Sequence, residues 1–169
     1  DKIKMSLRDH SIYDCIFQNA RNFPDEIAFV SGELRLSYGE FSLQVNSLAR
    51  GFLNEGFVKD DIIGVLLNNC TEYALLQAAT SRIGLITVCL NTRTSVDEMR
   101  KILEQTQPKA LIFQKSYEQQ ADELRELNIH LQLFCIDEAS ILSKSFDQLL
   151  DEDLSPLAES QPSVDDGWL

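Results

Sequence analysis

From Ile62 to Ile136 the sequence alternates short apolar runs with stretches whose apolar residues recur every three or four positions, and no other feature constrains the fold as tightly. The runs Ile62–Leu67, Leu85–Leu90, Ala110–Phe113 and Leu131–Ile136 read as buried strands. Helical patterns lie between them. Thr71–Arg82 ends at Gly84, a second segment opens at Ser95-x-x-Glu98 with Val96, Met99, Ile102 and Leu103 inward and stops before Pro108, and a third carries Tyr117, Ala121, Leu124 and Leu127. Strands without an alternating polar face need cover on both sides. The β-α-β-α-β-α-β series therefore predicts an α/β fold, a mainly parallel sheet with helices on both faces.

The residues ahead of this series follow other rules. Ile12, Ile16, Ala20 and Phe23 have helical spacing before the break at Pro24, and two apolar runs, Ile27–Val30 and Leu34–Leu36, flank Ser31-Gly32-Glu33 as a hairpin would. Ser37-x-x-Glu40 is a capping box, followed by the stripe Phe41, Val45, Leu48 and Phe52 and a stop at Gly56. The chain is read as a single partial domain, with a helix and hairpin over 1–36, an α/β core over 37–136 and an acidic connecting segment over 137–169. That last segment holds nine acids against the single base Lys144, which suits a solvated surface.

The formal charge of −12 argues against nucleic acid and anionic membrane surfaces as partners, because both bind through clustered Lys and Arg. No apolar run approaches the roughly 18 residues that span a bilayer, and the N-terminus lacks the layout of a secretory signal, so no membrane span and a cytoplasmic location are expected. Cys15, Cys70, Cys89 and Cys135 are widely spaced, without a C-x-x-C pair or a neighbouring His, and read as mostly buried free thiols.

Ligands of open parallel sheets collect at the carboxyl ends of the strands. That rule selects Asn68, Asn69, Cys70 and Thr71, then Asn91, Thr92, Arg93 and Thr94, then Gln114 and Lys115. Arg93 is the best single candidate, since a guanidinium among polar groups at a strand end can fork onto a phosphate or carboxylate. The alternative is a surface Arg paired with Asp97 or Glu98. Asn68 and Asn69 are read as turning the chain and capping the helix at Thr71, Cys70 as a structural thiol, Tyr73 as core, and His10 and His130 as solvent-facing. The sequence contains no G-x-x-x-x-G-K-[ST], G-x-G-x-x-G or G-x-S-x-G.

A series of landmarks in order gives a resemblance: Pro24-Asp25-Glu26-Ile27-Ala28, Leu36-Ser37-Tyr38-Gly39-Glu40-Phe41, Asn46-Ser47-Leu48-Ala49-Arg50-Gly51-Phe52, Ile63-Gly64-Val65-Leu66-Leu67-Asn68-Asn69, the helix end Ala78–Gly84, and Leu90-Asn91-Thr92-Arg93. Over Pro24–Phe113 the chain resembles the N-terminal part of an AMP-forming acyl-CoA synthetase, in the acyl-adenylate-forming superfamily of AMP-binding enzymes. The resemblance implies the N-terminal subdomain of that fold. It also implies a parent acid–thiol ligase that uses ATP and Mg²⁺ to convert a small-molecule carboxylic acid to acyl-AMP and pyrophosphate, then transfers the acyl group to coenzyme A.

Asp165-Asp166-Gly167-Trp168-Leu169 reads like the approach to the family's phosphate loop. The loop itself, the ribose-contacting acid and the C-terminal lysine have no matching positions. The isolated chain is thus expected to be inactive, with no catalytic or metal-binding residue assigned. Only Arg93 carries over: it aligns with the family's Asn-x-Arg segment, which in some acyl-CoA synthetases approaches the coenzyme A phosphates. Cys89-Leu90-Asn91-Thr92-Arg93 looks more like acyl-CoA synthetases than like peptide-synthetase adenylation domains, although Cys89 and Thr92 stand where Pro is frequent.

Two other readings compete. One is a noncatalytic α/β interaction module or split subunit completed by a partner chain, with self-association through the surface left by a truncated core. The other, a phospho-acceptor receiver, needs acids after the first parallel strand, where Asn68-Asn69-Cys70 stands instead.

Overall fold

The structure is a computed structural model and describes residues 12–127, 130–138, 140–153, 155 and 157. The first helix, α1 (Ile12–Asn22), buries Tyr13, while Ile16 and Phe17 pack partly against the core. Ile12 and Phe23, expected on the inner stripe, are 43% and 57% exposed. The stripe is rotated by one residue because Tyr13 offers the larger payload: its ring stacks on Phe17 at 5.7 Å and lies under the Arg82 guanidinium at 4.6 Å.

The hairpin pairs β1 (Ile27–Ser31) with β2 (Leu34–Ser37) antiparallel, and Gly32 turns it at φ 58°. Both halves of the predicted capping box then open α2 (Tyr38–Asn54), with Glu40 N donating to Ser37 Oγ at 3.2 Å and Ser37 N to Glu40 Oε2 at 2.9 Å.

The α/β series follows as β3 (Ile62–Leu66), α3 (Thr71–Ile83), β4 (Ile86–Cys89), α4 (Val96–Thr106), β5 (Ala110–Phe113), a 3-10 turn (Lys115–Tyr117), α5 (Glu118–Leu127) and β6 (Gln132–Cys135). A short β7 (Lys144–Ser145) completes a parallel sheet of order β4-β3-β5-β6-β7. The period of two in each strand splits the core. Ile63, Val65, Ala110, Ile112 and Phe134 point to the face covered by α1, α2 and α3, whereas Leu66, Leu111, Phe113, Leu133 and Cys135 point to the face under α4 and α5. The expected α/β sheet with helices on both faces is present.

The segment read as an acidic connector does more than connect. After β7 a 3-10 turn (Phe146–Leu149) buries Phe146 and Leu149 against α2. A strap follows: Ser47 Oγ donates to the Asp151 carbonyl at 2.8 Å, Arg50 donates to the Ser155 carbonyl at 2.7 Å, and Asn54 bonds the Asp151 carboxylate. Two apolar side chains anchor the strap, and two of its acids turn to α2, Asp151 to Asn54 and Asp153 to Arg50. Among the four cysteines, only Cys135 is buried; Cys15 and Cys89 are exposed and Cys70 is intermediate, so the expectation of mostly buried thiols fails. No described helix is long and apolar enough to cross a membrane. His10 lies outside the described residues.

Candidate functional site

Parallel pairing places the ends of β3, β4 and β5 side by side, so the three predicted loop groups share one edge of the sheet. The chain leaves β3 towards one side, to β4, and later crosses to its other side, to β5. The crevice between the carboxyl ends of β3 and β5 is therefore the point at which the winding reverses.

Asn68 spans that crevice. Its backbone N–H donates to Gln114 Oε1 at 2.7 Å, and its side-chain Oδ1 accepts from the Tyr117 hydroxyl at 3.1 Å. The expectation that Asn68 and Asn69 cap the following helix is not met. The N-cap of α3 is Cys70, which makes no side-chain cap hydrogen bond. Burial pushes the Cys70 thiol up to about 11, and the nearby Tyr73 and Glu72 amides offset only part of that, which favours the protonated thiol at neutral pH.

On the far side of β5, Lys115 N donates to Asp137 Oδ2 at 2.7 Å, which ties the end of β5 to the end of β6. Lys115 Nζ meets Glu118 at 2.8 Å; that bond raises the lysine's pKa and lowers the glutamate's. Sequence reasoning missed Asp137 and Tyr117, although the strand-end rule applied to Leu131–Ile136 would have pointed to Asp137.

The loop after β4 carries Arg93. Asn91 Oδ1 accepts from Arg93 N at 2.9 Å, and the Asn91 carbonyl accepts from Thr94 N at 3.0 Å and Thr94 Oγ1 at 2.8 Å, so the turn is fixed by its own first residue. Ser95 and Glu98 then close the second capping box and start α4.

Both acids proposed as surface partners of Arg93 are committed elsewhere. Asp97 pairs with Arg100 at 3.1 Å, and Glu98 is held by the Ser95 amide and hydroxyl, which keep its carboxyl below the ordinary value. Among the described residues the exposed Arg93 guanidinium makes no ion pair.

Beside the same loop, Tyr73 is half-buried and packs against the core, and its hydroxyl donates to Cys89 Sγ at 2.9 Å. Burial first, and then this bond, pushes the phenol up to about 12. Gln77 approaches the same sulfur at 3.7 Å and accepts from Thr87 Oγ1 at 3.3 Å. His130 is exposed, as expected, and stands at the opposite end of the sheet. No group of three His, Cys, Asp or Glu side chains among the described residues could hold a metal ion.

Known proteins share this fold. The model of the AMP-binding enzyme family matches residues 16–166. Tyrocidine synthase 1 of Brevibacillus parabrevis is 33% identical over 109 residues, 64% of this chain and 10% of that protein. The human mitochondrial medium-chain acyl-CoA ligase ACSF2 is 29% identical over 119 residues, 69% of this chain and 19% of that protein. Among solved structures, a protein assigned as a long-chain-fatty-acid CoA ligase from Rhodopseudomonas palustris CGA009 superposes with a TM-score of 0.87 at 26% identity, covering 96% of this chain and 41% of that one. The chain thus spans less than a third of the length of the curated relatives it matches.

Proposed function

The chain belongs to the AMP-binding enzyme family, and from that premise we propose that it is the N-terminal subdomain of an acid–thiol ligase that activates a carboxylic acid as acyl-AMP and passes it to coenzyme A. The named acyl-CoA ligases among its relatives support thioester formation. One observation on this chain carries the reading further: Arg93 stands at the sheet's carboxyl end on a turn fixed by Asn91, with its two nearest acidic neighbours in sequence already engaged. A guanidinium carried on a fixed turn, exposed and without an ion pair among the described residues, suits a phosphate, whose oxygens accept its forked donors. Its proposed role is to hold a coenzyme A phosphate while the acyl group is transferred.

The parent would draw on ATP and Mg²⁺ for adenylation, where a metal ion and donor groups spread the charge that develops on the phosphates. The described residues of this chain do not fit those groups, since they offer no three-ligand cluster and no phosphate-cradling loop. No step of adenylation is assigned to them, and the isolated chain is proposed to be inactive. In the full-length parent, Arg93→Ala should raise the apparent KM for coenzyme A about tenfold, the loss of one charged hydrogen-bonded contact, and leave ATP–pyrophosphate exchange nearly intact. Equal losses in both half-reactions would remove Arg93 from this role.

A second reading, a noncatalytic module or split subunit, is favoured by one feature. Phe23, Ile27, Val30 and Leu34 lie exposed around the hairpin and would suit cover by another chain or by further copies of this one. Acid-dependent ATP–pyrophosphate exchange by the parent would sink it.

A further inference from the structure

The amino end of the sheet, opposite the Arg93 loop, holds a cavity of about 490 Å³ between the last turns of α4, the entry to β5 and α5. Buried Leu103, Leu124 and Pro108 give it an apolar base. Three charged side chains stand around that base, Arg100, Glu104 and Lys109. Lys109 is neutralised by Asp61 at 2.6 Å.

Arg100 and Glu104 are four residues apart on α4, the spacing at which opposite charges ordinarily pair. They do not pair here. Arg100 Nη1 turns back one turn to Asp97 at 3.1 Å, and Glu104 has no ion pair among the described residues. The Arg100 Nε–H is buried and closed to a ligand, but the side chain is 38% exposed and only Nη1 is engaged by Asp97, so Nη donors remain for a further acceptor. A positive and a negative group thus flank one apolar base, each with capacity left over.

A purely anionic ligand would face the Glu104 carboxylate and the carbonyl-rich C-terminal end of α4, and a purely cationic one would face Arg100. A zwitterion meets neither conflict. We infer that this cavity binds an α-amino acid with an apolar side chain, its carboxylate on Arg100, its ammonium on Glu104 and its side chain over Leu103 and Leu124. The size is adequate, since small-molecule sites begin at about 300 Å³. The site is separate from the proposed coenzyme A contact, and its test does not depend on ligase activity.

The experiment is a titration of the full 169-residue chain with L-phenylalanine to about 10 mM, followed by backbone amide shifts, a range that detects millimolar binding. Saturable shifts are expected at Leu103, Gln107, Lys109 and Leu124. N-acetyl-L-phenylalanine, which lacks the ammonium, and L-phenylalaninamide, which lacks the carboxylate, should each bind about fivefold more weakly, the upper end for solvent-accessible ion pairs. Arg100→Gln and Glu104→Gln should reproduce those losses, and Lys101→Gln, one residue away on the exposed face, should not. Unchanged melting temperatures would show that the variants remain folded. Three results would overturn the inference: no saturable shift, shifts confined to Arg93–Ser95, or tighter binding by Glu104→Gln, which would mark an anion site.

Discussion

The two faces of the sheet are covered by different kinds of helix. On one face α2 and α3 are buried around most of their circumference, because α1 and the 146–157 strap pack over them in turn. On the other, α4 and α5 present one apolar stripe and leave the rest to water: the buried side chains of α4 are Met99 and Leu103, and those described for α5 are Ala121 and Leu124. A helix in an interior layer and a helix in an outer layer can follow strands of the same kind and still answer differently to substitution.

Truncation is the strongest way to test that contrast. Leu48→Ala, fully buried in the core on the α2–α3 face, should cost about 4 kcal/mol, and Leu124→Ala, which already borders the α4–α5 cavity, about 2.5 kcal/mol. Urea denaturation of both variants measures the gap, and equal losses would break the comparison.

Next in size is Gly51→Ala. A Cβ at this position would overlap the Leu149 carbonyl and its backbone neighbours, so the strap must lift or α2 must shift, at about 3 kcal/mol. The same substitution on a solvent-facing helix would be harmless. A neutral or stabilising result would mean that the strap does not rest on α2 in solution.

The smallest effect sharpens the comparison on the outer layer. Ser95→Ala removes one half of the cap on α4 and should cost about 1 kcal/mol by thermal denaturation. The Glu98 carboxyl is held below its ordinary value of 4.5 by the Ser95 amide and hydroxyl. A lowered folded value means that this stabilisation is present above the unfolded value and lost as the pH falls through the folded one. Glu98→Gln should therefore lessen the loss of stability that sets in as the pH falls past 4.5 towards the lowered folded value, and an unchanged profile would exclude the carboxylate.

Much of the fold was legible in the residues. The four apolar runs became β3, β4, β5 and β6 within a residue or so at each end, both capping boxes formed, and Gly84 closes α3 at φ 71°. These signals are local, which is why they survive without tertiary information. The misses are tertiary. Lys144-Ser145 is too short to have a period, and Phe146 and Leu149 look like strays in an acidic run until Gly51 opens a place for them.

Tyr13 displaced Ile12 from the inner stripe because Phe17 and Arg82 stood ready to pack on its ring. At the site, the strand-end rule located all three loops. It could not show that Asn68 reaches across to Gln114 and Tyr117, since that depends on strand order and not on spacing along the chain.

The bonds from α2 to the strap also set an order of events. Ser47 meets Asp151 and Arg50 meets Asp153 and Ser155 across sequence separations of 103 to 105 residues, so this part of the molecule closes a loop that encloses the whole α/β series. During synthesis α2 leaves the ribosome long before its cover exists. The groove at Gly51 stays open to water, and to chaperones, until the residues after β7 have been made, and closing so long a loop weighs on the folding rate more than on the final stability.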